Sequence, residues 1–252
     1  MITGTMVFAG RATRRYLRSP ESIISTIGFP VLLLLTLLAV FGTAVEAFEV
    51  GDGPYAQRLV PTLVVSGLLF GSVNTAVGFF TDLQDGFMDR VRTLPVPSIA
   101  PLAGAVVSEV ARAMTAVLVL VAVGYAFGFR FDNGVGPTIG FVAVAALAAV
   151  SVVWIGLALA TVASSQEALS PPLSALFLLL LFFSQGMVPL DAYPDWATPI
   201  VRFNPATSFV VALDRLARGG ELVGPILGSL GWAVGLMAVF GTIATRAVRR
   251  KR

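Results

Sequence analysis

The chain has 252 residues, with no Cys, no His and a single Lys, at position 251. Apolar residues make up 56% of it and charged residues 12%, with a mean hydropathy of +0.88. A soluble domain carries about 25% charge, so this composition cannot cover a globule with polar groups and reads as a membrane protein. The missing residue types exclude disulfides, thiolate zinc sites, cysteine nucleophiles and Ser–His hydrolysis. The lone Lys251 excludes a Walker A loop, so any ATP that drives this protein binds another chain.

Residues 1–21 come first. A helical projection from Met6 to Arg18 gathers Arg11, Arg14, Arg15 and Arg18 within an arc of about 100°, with Met6, Ala9, Thr13, Tyr16 and Leu17 opposite. That pattern predicts an amphipathic helix in the inner interface; it also suits a simple positive-inside anchor. Six apolar stretches are then long enough to span a bilayer: 22–45, 59–80, 99–129, 137–163, 169–190 and 225–245. An even number puts both ends on one side. Eleven Lys and Arg fall in the segment before the first stretch, the loop at 81–98 and the tail at 246–252, against five in the remaining loops. This asymmetry predicts cytoplasmic termini in a plasma (inner) membrane. It accounts for most of the net charge of +3 without a nucleic-acid partner.

The loop at 81–98 carries Asp82, Asp85 and Asp89 at i, i+3 and i+7, which on a helix share a face of about 60°. Phe87, Val91 and Leu94 form a second stripe, and Pro95 and Pro97 stop the helix. Such a helix suits a solvated connector, a metal site or a docking element. The metal reading would make the chain a phosphotransferase holding Mg²⁺ on Asp82, Asp85 and Asp89. The run from Asp82 to Arg90 resembles the first half of the site in CDP-alcohol phosphotransferases. The second half is missing: the next acids are Glu109 and Asp132.

The third stretch carries Glu109 and Arg112, three residues apart and two to three turns from its inner end. They read either as a gating element or as a pair that neutralises itself near the interface. Asn74 in the second stretch and Gln185 in the fifth are polar groups able to bond across helices. Phe177, Phe182, Phe183 and Met187 would give the fifth stretch a soft aromatic wall, or else face lipid or core. The last loop, 191–224, is long yet hydrophobic. Pro189, Pro194, Pro199 and Pro205 divide it into short helical pieces, 195–202 and 207–218, and Tyr193 and Trp196 suit a headgroup layer. It predicts a hairpin dipping into the outer leaflet, where only protein or water can satisfy its backbone.

Several landmarks then fall into one order. Ser184-Gln185-Gly186-Met187-Val188-Pro189 is followed by Pro194-Asp195-Trp196, by Asn204-Pro205-Ala206-Thr207, and by the Arg215 helix; Thr93-Leu94-Pro95-Val96 closes the earlier loop. Over nearly its whole length the chain resembles the permease subunit of ABC type-2 exporters, close to the daunorubicin-resistance group. The resemblance implies an all-α polytopic membrane protein with six transmembrane helices, an N-terminal amphipathic helix and an external re-entrant hairpin before the last span. It implies a single transmembrane domain over 1–252 that is not itself an enzyme. ATP and Mg would lie on two copies of a separate ATPase. A second permease, identical or sister, would complete the pathway among membrane lipids. A coupling helix built from Asp82, Gln84, Asp85, Gly86, Phe87, Asp89, Arg90 and Arg92 would seat in the ATPase. Spans this apolar suit hydrophobic or amphipathic cargo, drugs or lipids, rather than ions or sugars; a polymer exporter of the same superfamily stays open.

Overall fold

The computed structural model describes residues 28–47, 54–86 and 99–250, and all regular structure among them is helical. The helices are α1 (Phe29–Ala47), α2 (Tyr55–Gln84), α3 (Ala100–Ala126), α4 (Val135–Val162), α5 (Gln166–Phe182), α6 (Thr198–Arg202), α7 (Pro205–Arg218) and α8 (Val223–Arg250). A 3-10 turn covers Leu190–Ala192. Proline marks several starts: Pro101, Pro137, Pro199, Pro205 and Pro225 each stand in a first turn, where the missing N–H costs nothing; α5 begins instead on the Ser165 hydroxyl, which accepts the Ala168 amide. The Arg11, Arg14, Arg15 and Arg18 segment lies outside the described residues.

α4 is the centre of the bundle and packs against α2, α3, α5, α7 and α8. Phe141, Val152, Val153, Ile155 and Leu157 are its buried contribution to one continuous core. Gly156 allows the closest approach: a Cβ there would stand 2.8 Å from the Ala76 methyl on α2. α3 and α8 keep long apolar faces outward, with Leu118, Leu227, Val234 and Val239 exposed.

Four helices, α2, α3, α4 and α8, are long and apolar enough to cross a membrane. α1 and α5 occupy the first and fifth expected stretches, but α5 has 17 residues, about 26 Å at ~1.5 Å per residue against a hydrocarbon core of ~30 Å. α5 also ends at Phe182 rather than at Leu190, because the chain turns at Ser184 and folds back into the bundle. The expected helix over 195–202 shortens to Thr198–Arg202, with the Ala197 and Thr198 amides bonded to the Pro194 carbonyl. α2 runs on to Gln84, so Asp82 and Gln84 belong to its last turn. Gly86 then adopts φ +66°, a left-handed conformation that stops the helix. One continuous helical stripe through Asp82, Asp85 and Asp89 is therefore interrupted at Gly86. Asp85 is exposed; Phe87, Asp89, Arg90 and Arg92 lie outside the described residues.

Candidate functional site

Two constructions stand out among the described residues. The first is a buried ion pair between α2 and α3. Arg112 Nε donates to Glu109 Oε2 at 2.9 Å, a second guanidinium nitrogen donates to Oε1, and the Thr75 hydroxyl donates to Oε2 from α2. Glu109 is 1% exposed and Arg112 6%. α2 gives the guanidinium its room at Gly71, where a Cβ would collide with the Arg112 head group. Three residues thus supply one arrangement: a glycine for space, a hydroxyl to satisfy the carboxylate and a carboxylate to balance the charge.

Arg112 lies one residue from the midpoint of α3 (Ala100–Ala126), about 18 Å from its first residue and about 21 Å from its last at ~1.5 Å per residue. The helix starts at Ala100 and stays regular to Ala126, so the pair sits in its middle turns rather than at an end. A charge there is costly unless it is paired. The sequence singled out Asn74 on α2, but the neighbouring Thr75 makes the contact; Asn74 is exposed on another face.

The second construction is a knot at the end of α5. The last carbonyls of a helix have no partners within it, and in an apolar layer each must find one. The Leu179 carbonyl takes the Phe183 amide at 2.9 Å, and the Leu181 carbonyl takes the Ser184 hydroxyl at 2.6 Å. Asn204 Nδ2 donates to Leu180 O at 2.7 Å and to Phe183 O at 2.5 Å. Its Oδ1 accepts the Ala206 amide at 2.8 Å and so caps α7. The Tyr193 hydroxyl reaches Phe182 O at 2.7 Å and Ser184 O at 3.0 Å. From α2, the Thr62 hydroxyl lies 3.0 Å from Gly186 O. Thr207 Oγ1 accepts the Gln185 amide at 3.3 Å.

One buried asparagine therefore closes α5 and starts α7, which explains why Asn204-Pro205 follows the Ser184-Gln185-Gly186 turn in the sequence. Partial burial pushes the Tyr193 phenol above its ordinary value. The folded chain thus favours the protonated donor. That contribution is complete below the ordinary phenol range and is lost as pH rises through the raised value.

α7 explains the apolar character of the loop. Phe209, Val210, Leu213 and Leu216 are buried against α2, α4, α5 and α8. At the rim, Phe203 stacks edge-on with Trp232 at 5.6 Å, and Phe183 with Trp196 at 6.4 Å. Pro189, Pro194 and Trp196 are exposed, Gln185 is half-buried, and Pro205 is the first residue of α7. The suggested aromatic wall does not form as one surface: Phe177 is wholly buried in the core, whereas Phe182 is 54% exposed. Five residues apart on a helix, they face about 140° away from each other.

Gln57 escaped the sequence reading. Its side-chain amide makes two 2.8 Å bonds with the backbone of Arg130, Nε2 donating to the carbonyl and Oε1 accepting the N–H. This ties the start of α2 to the α3–α4 loop. A buried amide in an apolar helix was the available signal. No group of three acidic side chains that could hold a metal occurs among the described residues.

Gly186 offers a direct check on the knot. A Cβ there would stand 2.6 Å from Thr62 Oγ1 and 2.8 Å from Thr62 Cγ2. The Gly186→Val variant should lose about 1–3 kcal/mol by overpacking, read as a lower unfolding midpoint in detergent. An unchanged midpoint would remove the packing argument for this glycine.

Residues 3–215 match the ABC-2 type transporter family. The chain belongs to that family. The daunorubicin resistance ABC transporter permease protein DrrB1 of Streptomyces coeruleorubidus is 31% identical over 250 residues, covering 99% of this chain and 87% of that one. The probable doxorubicin resistance ABC transporter permease protein DrrC of Mycobacterium tuberculosis is 26% identical over 240 residues, 94% and 85% of the two chains. The doxorubicin resistance permease DrrB of the same organism is 25% identical over 244 residues, 91% and 83%. This ABC-2 family member is a membrane protein, and its buried ion pair and the knot between α5 and α7 both lie within the matched region.

Proposed function

We propose that this chain is the permease subunit of an ATP-driven exporter that moves hydrophobic or amphipathic compounds across the plasma membrane. The observation that carries the reading is the family match over 3–215, together with relatives named as daunorubicin and doxorubicin resistance permeases. The single Lys at the extreme C-terminus supports placing ATP and its magnesium on a separate ATPase. In this reading α1 and α5 complete six spans, both termini are cytoplasmic and 1–252 is one transmembrane domain. The segment at 191–224 is the external hairpin, and Phe182, Phe183 and Trp196 line its outer rim. Arg11, Arg14, Arg15 and Arg18 lie along the inner interface. Residues 81–98, entered through Asp82, Gln84, Asp85 and Gly86 and continuing through Phe87, Asp89, Arg90 and Arg92, seat in a groove of the ATPase, which is present in two copies.

The Glu109–Arg112–Thr75 contact supports a mechanical role for the same region. α2 and α3 flank the cytoplasmic segment, and the pair fastens them at mid-depth. A push on that segment then moves the two helices together, as in rigid-body rocking. Proline, glycine and apolar side chains dominate the rest, which suits a greasy cargo. The test is drug accumulation in cells that express this chain with its ATPase. Accumulation of a fluorescent anthracycline should fall in those cells and return to the control level when Asp85-Gly86-Phe87 is replaced by three alanines. Equal accumulation with and without the chain would overturn the substrate class; export unaffected by the replacement would overturn the coupling assignment.

A further inference from the structure

The exposed side of α3 is one continuous stripe. Val107, Ala111, Thr115, Leu118, Ala122 and Tyr125 follow each other at spacings of three and four residues, and all are exposed. The stripe runs about 27 Å at ~1.5 Å per residue, close to a hydrocarbon core of ~30 Å. The Thr115 hydroxyl donates to Ala111 O on the same helix, so nothing between Val107 and Ala122 needs an outside polar partner. The Tyr125 end is different. Arg130 is exposed there, yet its backbone is clamped by the buried Gln57 through two 2.8 Å bonds. Phe129 beside it is wholly buried, edge-on to the Tyr125 and Phe131 rings. The Arg130 side chain folds back over Tyr125, with Cζ 5.2 Å from the ring centroid. Nη1 donates to Tyr125 O at 2.5 Å and to Phe129 O at 2.7 Å. Both acceptors are carbonyls without net charge. Among the described residues no carboxylate pairs with Arg130, and nothing accepts from its Nε or Nη2. That open edge is one that binds a phosphate through two parallel bonds.

We propose that Arg130 and Tyr125 form a binding site for the phosphate of an outer-leaflet phospholipid, whose acyl chains lie along the half of the stripe from Leu118 to Tyr125. Charge and stripe select this ligand together. The open guanidinium edge is cationic and forked, so it takes an anion that offers two oxygens. The stripe that leads to it is apolar, so it takes hydrocarbon. A phospholipid carries both in this order, whereas inorganic phosphate carries only the first. The Tyr125 ring sits where an interfacial aromatic belongs, with its hydroxyl beside the headgroup. Gln57 gives the site its precision, since it holds the Arg130 backbone from a different helix. The outer leaflet rests on the topology proposed above; the contact itself does not.

The test is native mass spectrometry of the purified chain in a neutral maltoside detergent, titrated with dioleoyl phosphatidylglycerol. Arg130→Met should bind this lipid about tenfold more weakly than the wild type at its tightest site. Arg130→Lys keeps the charge without the fork and should fall between the two. Arg202→Met removes another exposed arginine, on α6, and should bind as the wild type does. Dioleoylglycerol, with the same chains and no phosphate, should not occupy the site. Unfolding midpoints guard against a misfolded variant: phosphatidylglycerol should raise the midpoint of the wild type and leave that of Arg130→Met unchanged. Equal lipid binding by the wild type and Arg130→Met would overturn the proposal, as would an equal loss in Arg202→Met. Occupation by inorganic phosphate in place of the lipid would reassign the site to free anions and overturn it too. These measurements need no ATPase, so their failure leaves the permease reading to be judged by drug accumulation alone.

Discussion

Replacing Glu109 by Gln should be among the most damaging single changes in this chain. The substitution keeps the shape but removes the carboxylate charge to which two nitrogens of the buried Arg112 guanidinium donate, beside Gly71. Breaking a buried pair in this way costs about 3–5 kcal/mol. Arg112→Met should be milder. The carboxyl it strands still receives the Thr75 hydroxyl and can neutralise itself by taking up a proton, whereas a guanidinium cannot shed one. The double variant Glu109→Gln with Arg112→Met should recover most of the loss, because a buried pair replaced as a unit is often neutral. Unfolding midpoints of the purified variants in one detergent would show the order. A Glu109→Gln midpoint equal to that of the wild type would mean the pair is solvated and the buried geometry is wrong.

The second large effect is expected at Asn204. Asn204→Ala removes the cap of α7, worth about 0.5–2 kcal/mol. It also strands the Leu180 and Phe183 carbonyls, at about 1–3 kcal/mol for each buried group left unmade. Asn204→Asp should cost nearly as much: its carboxylate still caps the Ala206 amide but donates nothing to the two carbonyls. The loss should be local as well as global. Protease cleavage between Ser184 and Asn204 should become faster in Asn204→Ala at temperatures where the rest of the bundle stays folded. Uniform loss across the chain would place Asn204 in the general core rather than at a joint.

Much of this architecture could be read from the residues, for identifiable reasons. α2, α3, α4 and α8 each carry a long apolar run, interrupted in α3 only by Glu109 and Arg112, and length marks such runs. The α5–α7 knot left its trace because its parts are residues with narrow physical uses: a glycine against Thr62, an asparagine bonding in both directions, a proline in a first turn. Glu109 and Arg112 could be placed on one face from their spacing, since α3 begins at Ala100, one residue from the start of the expected stretch. Thr75 and Gln57 were not legible in the same way. A threonine or glutamine in an apolar helix shows no preference for a partner until α3 or the Arg130 loop is brought beside it, and that is a tertiary fact. The end of α5 at Phe182 was equally hidden, since Phe183 and Met187 continue the apolar pattern past the turn.

The claim on which the rest depends is that this chain works as the membrane half of an assembly whose ATPase is a separate protein. Extraction of the tagged chain from its native membrane in mild detergent, followed by identification of what accompanies it, tests this most directly. The account predicts an ATPase bearing a Walker A loop, recovered in equal amount and lost when Asp85-Gly86-Phe87 is replaced by three alanines. Recovery of the folded chain alone, with no ATPase under any extraction that preserves the bundle, would contradict it.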